Sequence, residues 1–234
     1  MKVLAVDTSS TVAAVAVLDN EKLLGEYIIN NKKTHSQKLM PMIKDLMDNL
    51  GVAPDEIDVY AASVGPGSFT GLRIGVTIIK AISYSLEKPV ISIPTLDALA
   101  YNISTSGVII CPIMDARNNQ VYTSIYKWDK EELVRKSEYM GIDIAELKEF
   151  LIKKDEVIYF VGDAVENHRN YLSDSLGDKC KFAPNNLLLH KASSVAQLAF
   201  LAAKSGKLES PIDMVPYYLR KSQAEQEYCK RNGV

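Results

Sequence analysis

A glycine-rich turn is the first place in this chain where residue types and spacing support chemistry. It covers residues 63–75 and joins an apolar run, Val59 to Val64, to a helical pattern from Phe69 to Leu86. At such a strand-to-helix turn, Gly65 and Gly67 let backbone N–H groups approach an anion, and the first helical turn has free donors at the positive end of its dipole. The sequence therefore permits a phosphate or carboxylate site here.

The same turn has a purely conformational interpretation. Its glycines also provide backbone conformations that are closed to other residues, with Ser68 or Thr70 capping the helix. The turn is not a P-loop, because no Lys-Ser/Thr pair follows at the required spacing, and it is not a hydrolase elbow, because G-x-S-x-G is absent. Both interpretations stay open at this point.

Composition is typical of an ordinary globular protein and excludes several function classes. The 234 residues are 47% hydrophobic and 24% charged, which suits one large domain or two small ones. A formal net charge of −2 gives no electrostatic reason for strong unaided binding of nucleic acid. Three separated cysteines without C-x-x-C spacing predict neither a disulfide framework nor a zinc site. With no signal peptide and no run of about 18 apolar residues, we expect a cytoplasmic protein without a membrane partner.

The hydrophobic pattern predicts two similar halves that would position the turn. The first half, residues 2–102, has a three-stranded meander followed by alternating helices and strands. The second half has a meander with strands at 120–126 and 133–140. These halves indicate a duplicated α/β architecture. A later apolar helix, Ser193 to Ala203, is expected to start at a serine cap and to pack back on the first half.

Several motifs in fixed order resemble the bacterial TsaB family. In chain order they are Asp7 at the corner of the first meander, HSQKLMP at 35–41, GPGSFTGLR at 65–73, TLDALA at 95–100, MDAR at 114–117 and YLRKSQAE at 218–225. The resemblance runs nearly end to end and is weakest from Trp128 to Asn186.

The resemblance implies an actin-like (ASKHA, ribonuclease H-like) duplicated α/β fold, with two subdomains of meander-containing mixed sheets flanked by helices. The implied N-terminal subdomain is 1–103, completed by a C-terminal helix at 192–220. A degenerate second subdomain covers 104–191, and a polar tail covers 221–234. The implied role is in making N6-threonylcarbamoyladenosine beside the anticodon of tRNAs that read codons starting with A.

Proteins of that family resemble a degenerate relative of the catalytic subunit TsaD and are not themselves the catalyst. The resemblance implies a heterodimer with TsaD that helps to recruit the ATPase TsaE, and a homodimer when the chain is alone. Transfer RNA would be reached indirectly, through the complex. We expect no catalytic residue and no tightly bound cofactor, and whether ATP and magnesium bind at the joint interface with the partner stays open.

The chain departs from the actin-like enzymes that hold Mg·ATP. They use a carboxylate at the end of the first strand and glycine-containing phosphate loops. Here Asp7 is followed by Thr8-Ser9-Ser10, without a glycine. The weak cofactor-site candidates are therefore Asp7, Thr8, Ser9, Gly65, Gly67 and Ser68. The alternative for Asp7 is a turn residue bonded to the backbone that follows it. The rival function is a small-molecule kinase or ATPase in which Asp7 holds Mg·ATP.

No metal site is predicted. The catalytic relative is expected to place two histidines four residues apart on a helix, but His35 is followed at that distance by Leu39, which cannot ligate a metal. We therefore expect His35 to be a helix-start residue that is hydrogen-bonded locally.

Two helices carry more apolar side chains than one sheet needs to cover. The predicted partner surface has apolar residues with two cations at its rim, and its members are Met40, Met47, Ile74, Ile78, Ile82, Arg73 and Lys80. The alternative is that the two helices cover each other and the sheet. A partner interface here should bury at least about 1,000 Å².

Overall fold

The computed structural model describes residues 1–31 and 35–220. The predicted polar tail, 221–234, lies outside the described residues. Among the helices in these two ranges, none combines the length and the apolar character that a membrane span requires.

The first half of the chain forms a mixed sheet with three helices. Its elements are β1 (Lys2–Asp7), β2 (Val12–Asp19), β3 (Lys22–Asn30), α1 (His35–Leu50), β4 (Val59–Gly65), α2 (Phe69–Ser85), β5 (Val90–Pro94) and α3 (Thr95–Ala100). The strand order is β3-β2-β1-β4-β5. The meander pairs are antiparallel, whereas β1-β4 and β4-β5 are parallel.

The second half has the elements β6 (Ile109–Asp115), β7 (Gln120–Thr123), β8 (Tyr126–Asp129), β9 (Glu132–Arg135), β10 (Met140–Asp143), α4 (Ile144–Ile152), β11 (Ile158–Val161), α5 (Val165–Leu176) and β12 (Cys180–Phe182), and the last helix is α6 (Ala192–Lys204). Its sheet has the order β10-β7-β6-β11-β12, with β8 and β9 attached beside β6. The pairs β10-β7 and β7-β6 are antiparallel, and β6-β11 and β11-β12 are parallel. This repeats the first sheet and confirms the predicted duplicated actin-like fold.

Alternation along β1 explains how its sheet is covered on both faces. Leu4 and Val6 pack into the core beneath α1 and α2, and Val3 and Ala5 pack against α6. Successive strand residues point to opposite faces, so a continuous apolar strand needs helices on both sides. The prediction that the last helix returns to the first half is therefore confirmed.

The start of α6 differs from the prediction. The residue before the helix is Lys191, and no side chain at that position caps it. Instead, the Glu26 carboxylate on β3 accepts a hydrogen bond from the Ser193 backbone N–H (2.8 Å). Ser194 donates to the Asn102 side chain (2.7 Å). The cap comes from tertiary contacts, so local serine positions could not reveal it.

The two strands predicted at 120–126 and 133–140 are each split in two. The breaks lie at Ser124 and Ser137, whose side chains form hydrogen bonds between the two segments. Ser124 Oγ donates to the Ser137 carbonyl (2.9 Å), and the Ile125 N–H donates to Ser137 Oγ (2.9 Å). These side-chain bonds replace ladder bonds and let the chain leave one pairing for another. Strand β12 has only three residues, too few for a periodic signal, and was not predicted.

Helix α3 ties the two halves together. Its Leu96 and Leu99 share one hydrophobic core with Ile110 and other residues of the second half. Asp97 Oδ1 accepts hydrogen bonds from the phenols of Tyr126 (2.6 Å) and Tyr139 (2.7 Å). Burial, followed by the Asp97 charge, raises the pKa of both tyrosines, so both remain donors. The division into subdomains at residues 103 and 191 stays a prediction.

Candidate functional site

Asp7 lies at the end of β1 and is 1% exposed. Its Oδ1 accepts hydrogen bonds from the backbone N–H (2.9 Å) and the hydroxyl (2.7 Å) of Ser9. Its Oδ2 accepts from the Ser63 hydroxyl on β4 (2.5 Å). Both carboxylate oxygens therefore hold the turn between β1 and β2, as in the turn interpretation. We call this turn, residues 7–10, the corner. Ser63 is the first residue of the glycine-rich turn, but no sequence signal marked it as the partner of Asp7.

Thr8 places the corner directly against helix α2. Its hydroxyl donates to the Gly71 carbonyl (2.7 Å). An ideal Cβ on Gly71 would lie 2.0 Å from the Thr8 carbonyl oxygen, and one on Gly75 would lie 2.4 Å from Thr8 Oγ1. Glycines four residues apart share one helix face, so α2 can approach the corner at backbone distance. That approach takes up the space beside Thr8.

The glycine-rich turn is packed against the same corner. The Ser68 N–H donates to the Ser9 carbonyl (2.7 Å), and Ser68 Oγ caps α2 by accepting from the Gly71 N–H (3.3 Å). A Cβ on Gly67 would lie 2.4 Å from the Ser9 carbonyl oxygen, and Gly65 lies against the Tyr217 backbone. These contacts favour the conformational interpretation of the turn and confirm Ser68 as the cap.

Two histidines converge on Ser10, the last residue of the corner. His35 Nε2 lies 2.8 Å from the Ser10 carbonyl oxygen, so this nitrogen is the donor. His190 Nδ1 lies 3.1 Å from Ser10 Oγ. The expectation that His35 bonds locally is wrong, because its partner is 25 residues away. His190 is buried, and sequence reasoning gave it no role because its partner is 180 residues distant.

Asp163 follows β11 and lies beside Asp115, which ends the first strand of the second sheet as Asp7 ends the first strand of the first sheet. Its Oδ1 accepts from the backbone N–H of Asp115, the last residue of β6 (3.2 Å). Burial raises the pKa of Asp163, and the nearby His190 opposes that shift. The side chain is only partly buried in the structure, so solvent weakens both effects.

We expect Asp163→Asn to make stability less dependent on pH. The folded-state pKa is raised, so the folded protein binds this proton more readily than the unfolded chain does. Stability therefore falls as pH rises from the unfolded pKa of about 3.9 through the folded value. At pH 7 the variant should gain less than about 1 kcal/mol over the parent, and at pH 3 the gain should vanish. Urea unfolding at several pH values measures this, with Asp174→Asn on α5 as control. A pH-independent difference would contradict the expectation.

The residues at the corner do not fit a magnesium nucleotide of the kind that actin-like enzymes hold. Both Asp7 oxygens and the Thr8 hydroxyl already have protein partners. In residues 1–31 and 35–220, no cluster of three or more His, Cys, Asp or Glu side chains is placed to hold a metal ion. That the chain binds no cofactor tightly stays a prediction.

The predicted partner surface is only partly at the surface. Ile74, Ile78 and Ile82 are half-buried and pack against the first core, and Met40 is 45% exposed. Met47 is 5% exposed and belongs to that core, so its assignment to an exposed surface is wrong. It follows Ile43 by one helical turn and therefore shares the buried face of α1.

The two predicted rim cations are engaged by the chain's own C-terminal segment, residues 208–220, which we call the strap. Lys80 Nζ donates to the carbonyls of Ile212 (2.9 Å) and Met214 (2.8 Å). Arg73 Nε donates to the Tyr218 hydroxyl (2.8 Å). The strap then reaches the second half, where Arg220 donates to a β10 carbonyl (3.0 Å). That these cations border a partner surface stays a prediction.

Two sheets with the same strand order, each with an aspartate ending its first strand, define an actin-like, ribonuclease H-like protein. A family model described as "TsaD: tRNA N6-adenosine threonylcarbamoyltransferase" matches residues 22–234. A Bacillus subtilis protein named "tRNA threonylcarbamoyladenosine biosynthesis protein TsaB" is 34% identical over 98% of this chain and 99% of its own length. The chain therefore belongs to the TsaB family.

Solved structures agree with the fold. A Pseudomonas aeruginosa protein described as similar to peptidase YEAZ superposes with a TM-score of 0.79 at 25% identity, over 94% of this chain and 99% of that one. The ROK hexokinase of Thermus thermophilus superposes with a TM-score of 0.52 at 12% identity, over 87% of this chain and 100% of that one. The hexokinase likeness shows the fold alone.

Proposed function

We propose that this chain is a non-catalytic subunit required for threonylcarbamoyl transfer to N6 of the adenosine next to the anticodon, in tRNAs that read codons starting with A. Membership of the TsaB family supports a role in tRNA threonylcarbamoyladenosine biosynthesis, which takes place in the cytoplasm under this proposal. The observation that carries the non-catalytic part is the Asp7 corner. Its carboxylate and the Thr8 hydroxyl are used to hold β1, β4 and α2 together.

The proposed partners are the catalytic subunit TsaD and the ATPase TsaE, with tRNA held through the complex and a homodimer formed by the chain alone. The outer face of α2 supports a protein contact. It exposes small side chains at Thr70, Thr77 and Ala81, flanked by the half-buried Ile74 and Ile78. Small residues let another helix approach closely, and the flanking isoleucines add apolar area. The chain would act by binding the active conformation of TsaD better than its inactive one.

Reconstitution tests the proposal. TsaD, TsaE, threonylcarbamoyl-adenylate and tRNA should give modified adenosine only when this chain is present. In cells, depletion of the chain should lower threonylcarbamoyladenosine in hydrolysed tRNA, measured by mass spectrometry. Unchanged nucleoside levels in both experiments would exclude the assigned pathway.

The enzyme alternative has its own measurement. Titration calorimetry with Mg·ATP should show no micromolar binding by the isolated chain. Micromolar binding that disappears in Asp7→Asn, in a variant that keeps the parent's circular dichroism and melting temperature, would favour a small-molecule kinase or ATPase instead.

A further inference from the structure

A cavity of about 210 Å³ opens between the last turn of α4 and the β8-β9 hairpin. Its floor is formed by Ile109 and Ile125, two buried residues of the second core. Its walls are lined by Lys127, Lys136, Phe150, Lys154 and Glu156. We call this cavity the lysine pocket.

The lysine pocket is separate from the corner and from α2. Ile109 is the first residue of β6, and Asp115, which corresponds to Asp7 of the first sheet, is the last. A seven-residue strand places these ends roughly 20 Å apart. The pocket therefore plays no part in the site or the partner surface described above.

The charges around the pocket are not balanced. Lys127 forms an ion pair with Glu156, which also borders the pocket. The Lys154 ammonium lies 4.9 Å from the centre of the Phe150 ring. Within residues 1–31 and 35–220, neither Lys154 nor Lys136 has a carboxylate within ion-pair distance. Lys136 and Lys154 thus border the cavity without a paired carboxylate.

Stabilisation of the α4 C-terminus explains one of these cations but not both. Lys154 follows the end of α4, where a positive charge is favourable. Lys136 comes from the opposite wall, after β9, and its backbone N–H donates to the Ile125 carbonyl. This bond holds the Lys136 backbone at the rim of the pocket, so its exposed side chain adds a second cation to the border of the cavity.

We propose that the lysine pocket binds a small organic anion, with a carboxylate or phosphate held between Lys136 and Lys154 and an apolar, preferably aromatic, body over Ile109 and Ile125 beside Phe150. The anion would supply the missing counter-charge, and charge-assisted hydrogen bonds are stronger than neutral ones. Its apolar part would pack against the Phe150 ring, which is 39% exposed and lines the same cavity as the Ile109 and Ile125 floor. This site is independent of the proposed function.

Phenyl phosphate is the probe, with benzyl alcohol as its neutral counterpart. In the full chain with labelled isoleucine methyl groups, phenyl phosphate should shift the Ile109 and Ile125 resonances saturably, with a Kd in the millimolar range. The double variant Lys136→Gln/Lys154→Gln should raise that Kd about tenfold or more. The control Lys22→Gln/Lys207→Gln changes net charge equally at two exposed positions elsewhere and should leave the Kd unchanged.

Three results would overturn the proposal. They are no saturable shift with phenyl phosphate, equal Kd values in the double variant and the parent, and benzyl alcohol binding as tightly as the anion. Melting temperatures of both double variants, compared with the parent, establish that each is folded when the Kd is measured.

Discussion

Replacing Gly71 by valine should lower the free energy of unfolding by about 3 kcal/mol or more. An ideal Cβ at this position lies 2.0 Å from the Thr8 carbonyl oxygen, so α2 must move away from the corner. That movement breaks the bond from the Thr8 hydroxyl to the Gly71 carbonyl and stretches the bond from the Ser68 N–H to the Ser9 carbonyl. Loss of glycine from a helix would otherwise be slightly favourable, so a large loss of stability can only come from the clash. Urea unfolding followed by circular dichroism measures the change.

The matched control for Gly71→Val is Thr77→Val. Thr77 is exposed on the same helix, and both variants end with the same side chain. The control should change stability by less than about 0.5 kcal/mol. If both variants unfold at the same urea concentration, the close contact of α2 with the corner does not stabilise this protein.

Replacing Ile78 by glutamate should weaken both the homodimer and the TsaD complex by about 100-fold or more, because an interface would bury the new charge unpaired. Both complexes are proposed to use the outer face of α2, so both should fail together. Ile78 also packs on the first core, and the variant will lose some stability. Size-exclusion chromatography with light scattering measures the homodimer, and co-purification measures the TsaD complex.

Ala81→Glu separates binding from folding. Ala81 is exposed on α2, so a charge there leaves the core intact and should still disrupt both complexes. Asn170→Glu adds the same charge at an exposed position on α5 and should leave both complexes unchanged. If the homodimer survives both α2 variants, its interface lies on another surface.

Local patterns in the sequence determined most of the elements. The apolar period of the first helix predicts His35 to Leu50, which are the observed bounds of α1. Ser68 was one of the two caps proposed for α2, and the structure uses it. Such features depend on residues within a few positions of each other, so their periodicity and spacing are readable without a fold. Repetition of the pattern also indicated the duplication, which the two strand orders confirm.

Which surfaces meet was decided by the tertiary structure alone. His190 reaches Ser10 across 180 residues, and Lys80 reaches the carbonyls of Ile212 and Met214 across more than 130. Backbone carbonyls are present at every residue, so no residue type marks the ones that will accept a bond. Met47 is a different case, because it lies one helical turn after Ile43 on the apolar face of α1, and this spacing already indicates burial. The sequence thus determined the elements, their duplication and the family, whereas the contacts that fill the corner and hold the strap depend on distant segments meeting in three dimensions.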